Sequence, residues 1–274
     1  MTNKRLLVKI FMNSRSLASA KRLIGTEYET TRCGKCFIID YKNDSEVTVI
    51  FHDPVFVTKC TMGNLRKGSV NNPFKGLVYG VGYLGIGDYN YTKDHRAYSV
   101  WGGIMERCFC ERHKSIFPAY LGVTVHEEWH NFQNFAEWCY NQEGFSSFDE
   151  KGKSYHIDKD ILVRGNKIYS PETCCFVPRA INNLLILKSR YRGELPIGVS
   201  KCFSKRAKSF KYIGLVNING VQKNLGRYDT AEDAFKAYKK AKESYVKEVA
   251  ERYKSSISAQ AYNELLKYEV SIDD

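Results

Sequence analysis

The most chemically capable combination of side chains in this chain lies between Ser154 and Leu185, SYHIDKDILVRGNKIYSPETCCFVPRAINNLL. His156 is followed by Asp158 and Asp160, then by Asn166 and, further on, by Asn182 and Asn183. Imidazole ordinarily titrates near neutrality, so it can take a proton from water and give it up again. Carboxylate and amide oxygens are the donors that hard cations such as magnesium favour. A base of that kind beside a divalent metal is what phosphodiester hydrolysis needs, because water must be activated while charge builds on the phosphate and the leaving oxygen. On a strand, Asp158 shares a face with His156, since side chains repeat every second residue. Asp160 is a further oxygen donor in reach.

The surrounding pattern predicts how these groups are carried. HID alternates, Gly165-Asn166 is a turn signal, IYS and CCFV favour β structure, and Pro178 opens a helix bearing Asn182 and Asn183. Strand, loop, strand and helix bring a histidine, a loop asparagine and a helical asparagine into one small unit.

That unit resembles the ββα element of the HNH (His-Me finger) nucleases, in the form found in phage homing endonucleases. The resemblance implies that His156 is the general base, that Asn166 orients it, and that Asn182 or Asn183 helps bind one divalent metal, magnesium foremost. The family has an aspartate ligand directly before the histidine. Here that position is Tyr155, so Asp158, with Asp160 behind it, is expected to substitute.

At 274 residues the chain is long enough for two or three domains with real cores. A hydrophobic content of 43% excludes a disordered chain. The formal net charge is +12, and residues 186–254 hold 17 Lys and Arg against 7 Asp and Glu, so +10 of it lies there. Charge concentrated in this way is a footprint for phosphates and predicts double-stranded DNA as the partner. No apolar run reaches the length of a membrane span, MTNKRLLVKIFMNSRS has no small-residue cleavage site, and nine cysteines without a framework fit reduced thiols. A cytoplasmic protein is expected, in the host cell if phage-encoded, with neither a membrane partner nor a small-molecule cofactor.

Ahead of the nuclease-like stretch, residues 36–41, 46–51 and 55–59 read as three strands. Ile38, Val47, Val49, Phe51, Val55 and Val57 would form their inner face, and 64–73 a basic loop. Gly80, Gly82 and Gly85 match the spacing of a dinucleotide fingerprint but lack the following helix, and read as a flexible hinge. Cys33-Gly34-Lys35-Cys36 has no second pair at zinc-site spacing. Trp101, Ile104, Met105 and Cys108 fall at helical spacing, as do Trp129, Phe132, Phe135, Ala136 and Cys139. His126, Glu127 and His130 have the spacing of a zinc protease, without a third ligand region, and are expected to face solvent.

At the other end, residues 195–202 read as a strand. KYIGLVNINGVQKNLGRY then reads as two strands about an Asn219-Gly220 hairpin turn, and Thr230 with Asp233 as the capping box of a long helix. This three-stranded sheet with one helix resembles the apetala/ethylene-response-factor DNA-binding domain, whose sheet enters the major groove. The resemblance implies that Lys201, Asn217, Gln222, Asn224 and Arg227 face DNA, and that Lys205, Arg206, Lys208 and Lys211 meet phosphates. The Arg, Glu and Trp readers of the plant members are absent, so their target sequence does not transfer.

The expected chain is multi-domain α+β, with a β-rich module at 1–90, a ββα HNH-like unit with supporting helices at 91–189, and the sheet-and-helix domain at 190–274. The expected function is a metal-dependent DNA endonuclease of the phage homing type. The alternative is a non-catalytic, sequence-specific DNA-binding protein, such as a transcriptional regulator, on a decayed nuclease scaffold. A basic protein-interaction factor ranks third.

Overall fold

The computed structural model describes residues 14–185, 194–204 and 208–272. The chain is multi-domain α+β and divides into two compact units, residues 1–137 and 138–274. The boundaries expected at 90 and 189 each fall inside one of these units.

In the first unit, helix α1 (Ser14–Leu23) precedes strands β1 (Glu27–Thr30), β2 (Gly34–Asn43), β3 (Glu46–His52) and β4 (Val55–Cys60). They form an antiparallel meander in that order. Ile38, Val47, Val49 and Phe51 are buried as expected, together with Cys33 and Cys36. Val55 and Val57 are not, at 70% and 48% exposure. The register explains the difference. Phe51 pairs with Phe56, Val49 with Thr58 and Val47 with Cys60, so those partners share the core face and the valines between them point away. β1 was unforeseen, because Glu-Tyr-Glu-Thr is too polar to read as a strand until it is seen at a sheet edge.

The expected basic loop at 64–73 starts as helix α2 (Met62–Arg66), capped by the Thr61 side chain and burying Met62 and Leu65. Helix α3 (His95–Phe109) buries Trp101, Ile104, Met105 and Cys108, the stripe its spacing predicts. Helix α4 (Glu111–Ile116), strand β5 (Thr124–Val125) and a 3₁₀ turn (Glu127–His130) follow, then helix α5 (Phe132–Tyr140), which crosses into the second unit. The glycine-rich segment is not a flexible hinge. Gly85, at φ +69°, lies so close to the Asn131 side chain that a Cβ would collide with it, and Gln133 Nε2 donates to the carbonyls of Leu84 and Tyr89. His126 is exposed, but His130 is half-buried against the Phe109 ring, and burial lowers its pKa. With Glu127–His130 in a 3₁₀ turn rather than an α-helix, the zinc-protease geometry is not formed.

The second unit contains strands β6 (His156–Asp158), β7 (Ile168–Tyr169) and β8 (Cys175–Val177), then helix α6 (Arg179–Leu185). Strands β9 (Val199–Ser204), β10 (Ser209–Ile218) and β11 (Val221–Tyr228) make a three-stranded antiparallel sheet with β10 central. The first of these begins later than expected, since Pro196 to Gly198 forms a turn. Helix α7 (Ala231–Tyr253) packs on this sheet through Ala234, Phe235, Tyr238 and Tyr245, its N-terminus capped by Thr230 as the Thr230/Asp233 pair predicts. Helix α8 (Ala259–Leu266) buries Ala261 and Leu265 and is in contact with α7. Among the described residues no helix is long and apolar enough to cross a membrane.

Candidate active site and nucleic-acid face

β6 pairs antiparallel with β8, setting His156 opposite Val177 and Asp158 opposite Cys175. Val177 is followed at once by Pro178, whose carbonyl accepts the first helical bonds from the Ile181 and Asn182 amides. The histidine therefore stands on the rung next to the point where the chain turns into α6, and α6 in turn contacts β6. Ile181 and Leu184 bury the inner stripe of that helix, leaving Asn182 half-buried and Asn183 exposed. His156 is exposed. His156 is the first residue of β6, whereas the resemblance implied a histidine at the end of the first strand.

The loop between β6 and β8 is tied down by the residues expected to do chemistry. The Asp158 Oδ1 accepts from the backbone N–H groups of Asp160 and Ile161 at 2.7 and 2.9 Å. Burial pushes the Asp158 carboxyl above the usual carboxylate range, against the pull of those two N–H groups. The Lys159 ammonium is buried, at 8% exposure, and donates to both oxygens of Asp160 and to the Asn166 carbonyl, so its three protons are accounted for. Both side-chain N–H groups of Asn166 go to backbone carbonyls, of Lys159 and Ile168, while its Oδ1 accepts from Ile168 N–H. Asn166 closes the loop with those bonds rather than orienting His156 through its amide.

Tyr155, in the position where the family has an aspartate, is 4% exposed and donates from its hydroxyl to Ser256 at 2.9 Å. It is a core side chain. Cys174 and Cys175 beside Asp158 are buried thiols; burial pushes Cys174 up to about 12 and Cys175 higher, so neither offers a thiolate.

Among the described residues no group of three His, Cys, Asp or Glu side chains is placed to hold a metal. Asp160 does not fit the role expected of it, because Lys159 neutralises both its oxygens. Asp158 fits better, since both of its hydrogen bonds fall on Oδ1. The Asp158 Oδ2 and an Asn182 or Asn183 amide, with His156 left beside them as the base, would be a sparse ligand set, yet magnesium commonly keeps several waters and takes its remaining ligands from one or two carboxylates and the substrate phosphate.

The C-terminal sheet has two unlike faces. Val199 and Gly214, Val216 and Leu225 lie toward α7. On the other face Asn217 pairs with Gln222, Leu215 with Asn224 and Ile213 with Arg227. Between the last two rungs the register shifts, with Gly226 at φ +125°. That bulge turns Arg227 onto the face of Asn224; uninterrupted alternation would have aimed it toward the helix. Asn217, Gln222, Asn224 and Arg227 are all exposed there. Lys201 is not with them, because it pairs with Tyr212 and so lies on the opposite, helix-side face. Lys208 is exposed at the turn, and Lys211 forms an ion pair with Asp229. Lys205 and Arg206 lie outside the described residues.

Sequence reasoning missed Phe203 and Phe210, which flank the basic connection. Read as part of a cationic loop, FSKRAKSF hides the fact that its two phenylalanines end facing strands. Compared with models of protein families, with curated proteins and with solved structures, the chain gives no match.

Proposed function

We propose that this chain is a metal-dependent DNA endonuclease of the HNH, phage homing type, hydrolysing phosphodiester bonds in duplex DNA. The observation that supports it most is the exposed His156 on the rung beside the β8–α6 turn, with a helix bearing Asn182 against its strand. His156 takes the proton from the attacking water. The Asp158 Oδ2 and the Asn182 amide, or that of Asn183, are the groups left to hold magnesium, which when bound neutralises charge on the phosphate and leaving oxygen. The exposed row Asn217, Gln222, Asn224 and Arg227 holds the duplex, asparagine and glutamine being able to bond adenine edges bidentately and arginine guanine.

A second reading, a non-catalytic DNA-binding protein, is favoured by the burial of Tyr155 where a ligand is expected and by the loop-closing bonds of Asp158 and Asn166. Supercoiled plasmid with magnesium or manganese separates the two. The endonuclease converts it to nicked or linear DNA, and His156→Ala abolishes the conversion while binding persists. Plasmid left intact by wild type with either metal, though still bound, establishes the second reading instead.

A further inference from the structure

Where β9 and β10 run out from under α7, the sheet exposes two phenylalanines. Phe203 and Phe210 pair directly across the strands, their ring centroids 5.4 Å apart and edge to face. They are 58% and 57% exposed. The Lys201 ammonium stands over the Phe210 ring, 4.4 Å from its centroid. Two rungs inward the same face is sealed under the helix at Val199 and Gly214, with Tyr212 half-buried between. The cross-strand ring pair and the cation over one ring stabilise the hairpin only modestly, and they leave flat aromatic surface open for a partner to cover.

Charge decides what covers them. The region carrying this patch holds 17 Lys and Arg against 7 Asp and Glu, so a second copy of the chain would bring like charge against like. A nucleic-acid strand brings the complement of both features, flat bases for the rings and phosphates for the ammonium. Aromatic faces interleaved with cations are the general means of holding unpaired bases.

We propose that Phe203, Phe210 and Lys201 form a stacking platform for unpaired bases of a DNA strand. This rests on the DNA reading above and adds that the substrate is engaged with bases out of the helix. The platform and the row Asn217, Gln222, Asn224 and Arg227 occupy opposite faces of one sheet, so the sheet acts as a wedge, with duplex edge on one side and displaced bases on the other.

The test is fluorescence anisotropy of the full chain with a labelled oligothymidylate and with a duplex of the same length. Changing Phe203→Ala and Phe210→Ala together weakens single-strand affinity about tenfold or more. The salt dependence stays unchanged because no phosphate-binding charge is lost. Duplex affinity and the thermal midpoint hold, since both rings are exposed. Phe210→Leu, which keeps an apolar side chain without a π face, loses single-strand affinity as well, and Lys201→Ala makes the salt dependence shallower. A double variant, or Phe210→Leu, that binds the single strand as wild type does while duplex binding persists overturns the platform and leaves the DNA reading standing. Wild type that binds neither oligonucleotide removes the DNA reading and the platform with it. Sedimentation showing a wild-type dimer that the double variant splits makes the patch a self-interface and overturns the proposal too.

Discussion

At the scale of single residues, the most telling side chain is Asp158. Its carboxyl is pushed up by burial, which means that the native state holds its proton more tightly than the unfolded chain does. The ionised form therefore subtracts from stability; the penalty is full above the folded-state pKa and disappears as pH falls through the ordinary carboxylate range, to about 4. Asp158→Asn keeps an Oδ1 for the Asp160 and Ile161 amides but never ionises. It is expected to be at least as stable as wild type at neutral pH, with the advantage vanishing by about pH 4, and to cleave plasmid far more slowly. Thermal melts across pH and a cleavage time course check both halves; marked destabilisation at neutral pH counts against the carboxylate's being held there for function. Tyr155 gives the opposite lesson. Tyr155→Phe loses one hydrogen bond, to Ser256, at about 1 kcal/mol. Tyr155→Asp, which restores the family's residue, is expected to lower stability by roughly 3 kcal/mol or more and to leave cleavage no faster, because it exchanges a packed ring for a buried charge. Urea unfolding measures the first effect and the plasmid assay the second. That His156 and Asp158 share one strand was legible, because alternation along HID is a local rule. That Asp160 is neutralised by a buried Lys159 was not, because lysine beside aspartate reads as a solvated pair until the loop closes over it.

Elements show the same division between local and long-range information. Helices α3, α5 and α7 were legible in the 3.6-residue period, with Trp101, Phe132 and Phe235 falling inward as that period requires. The β2–β4 strands were legible too, but not the face of β4. Whether Val55 or Phe56 points inward depends on the pairing of His52 with Val55 across a two-residue turn, which alternation within one strand does not reveal. The Gly226 bulge is likewise invisible to alternation, and it aims Arg227. Gly226→Ala places a side chain at φ +125°, where only glycine is at ease, and is expected to cost about 1–3 kcal/mol. It should also weaken duplex affinity more than Arg227→Ala does, since it disturbs the rung bearing Asn224 as well. Calorimetry and anisotropy on the two variants decide the point; a Gly226→Ala protein unchanged in both takes away the bulge's role.

Over the whole molecule, the decisive property is the placement of charge. With +10 of the formal +12 in residues 186–254, DNA affinity is expected to fall steeply and linearly as log affinity against log salt, by roughly a hundredfold or more between 50 and 200 mM salt for several phosphate contacts. Anisotropy titrations at four salt concentrations measure the slope; a flat line removes DNA as the partner. The second unit holds the ββα element and the three-stranded sheet together, and one bond between them has a further implication. Lys242, midway along α7, sends its ammonium to the carbonyl of Leu184 at the end of α6, at 2.6 Å, and burial lowers its pKa. On the proposed reading, blade and template are thereby bolted to a single rod. Such an enzyme has a constant stride, breaking the backbone at one set number of base pairs from the sequence it grips, and unfastening that lysine would blur a sharp cleavage position into a spread of neighbouring ones.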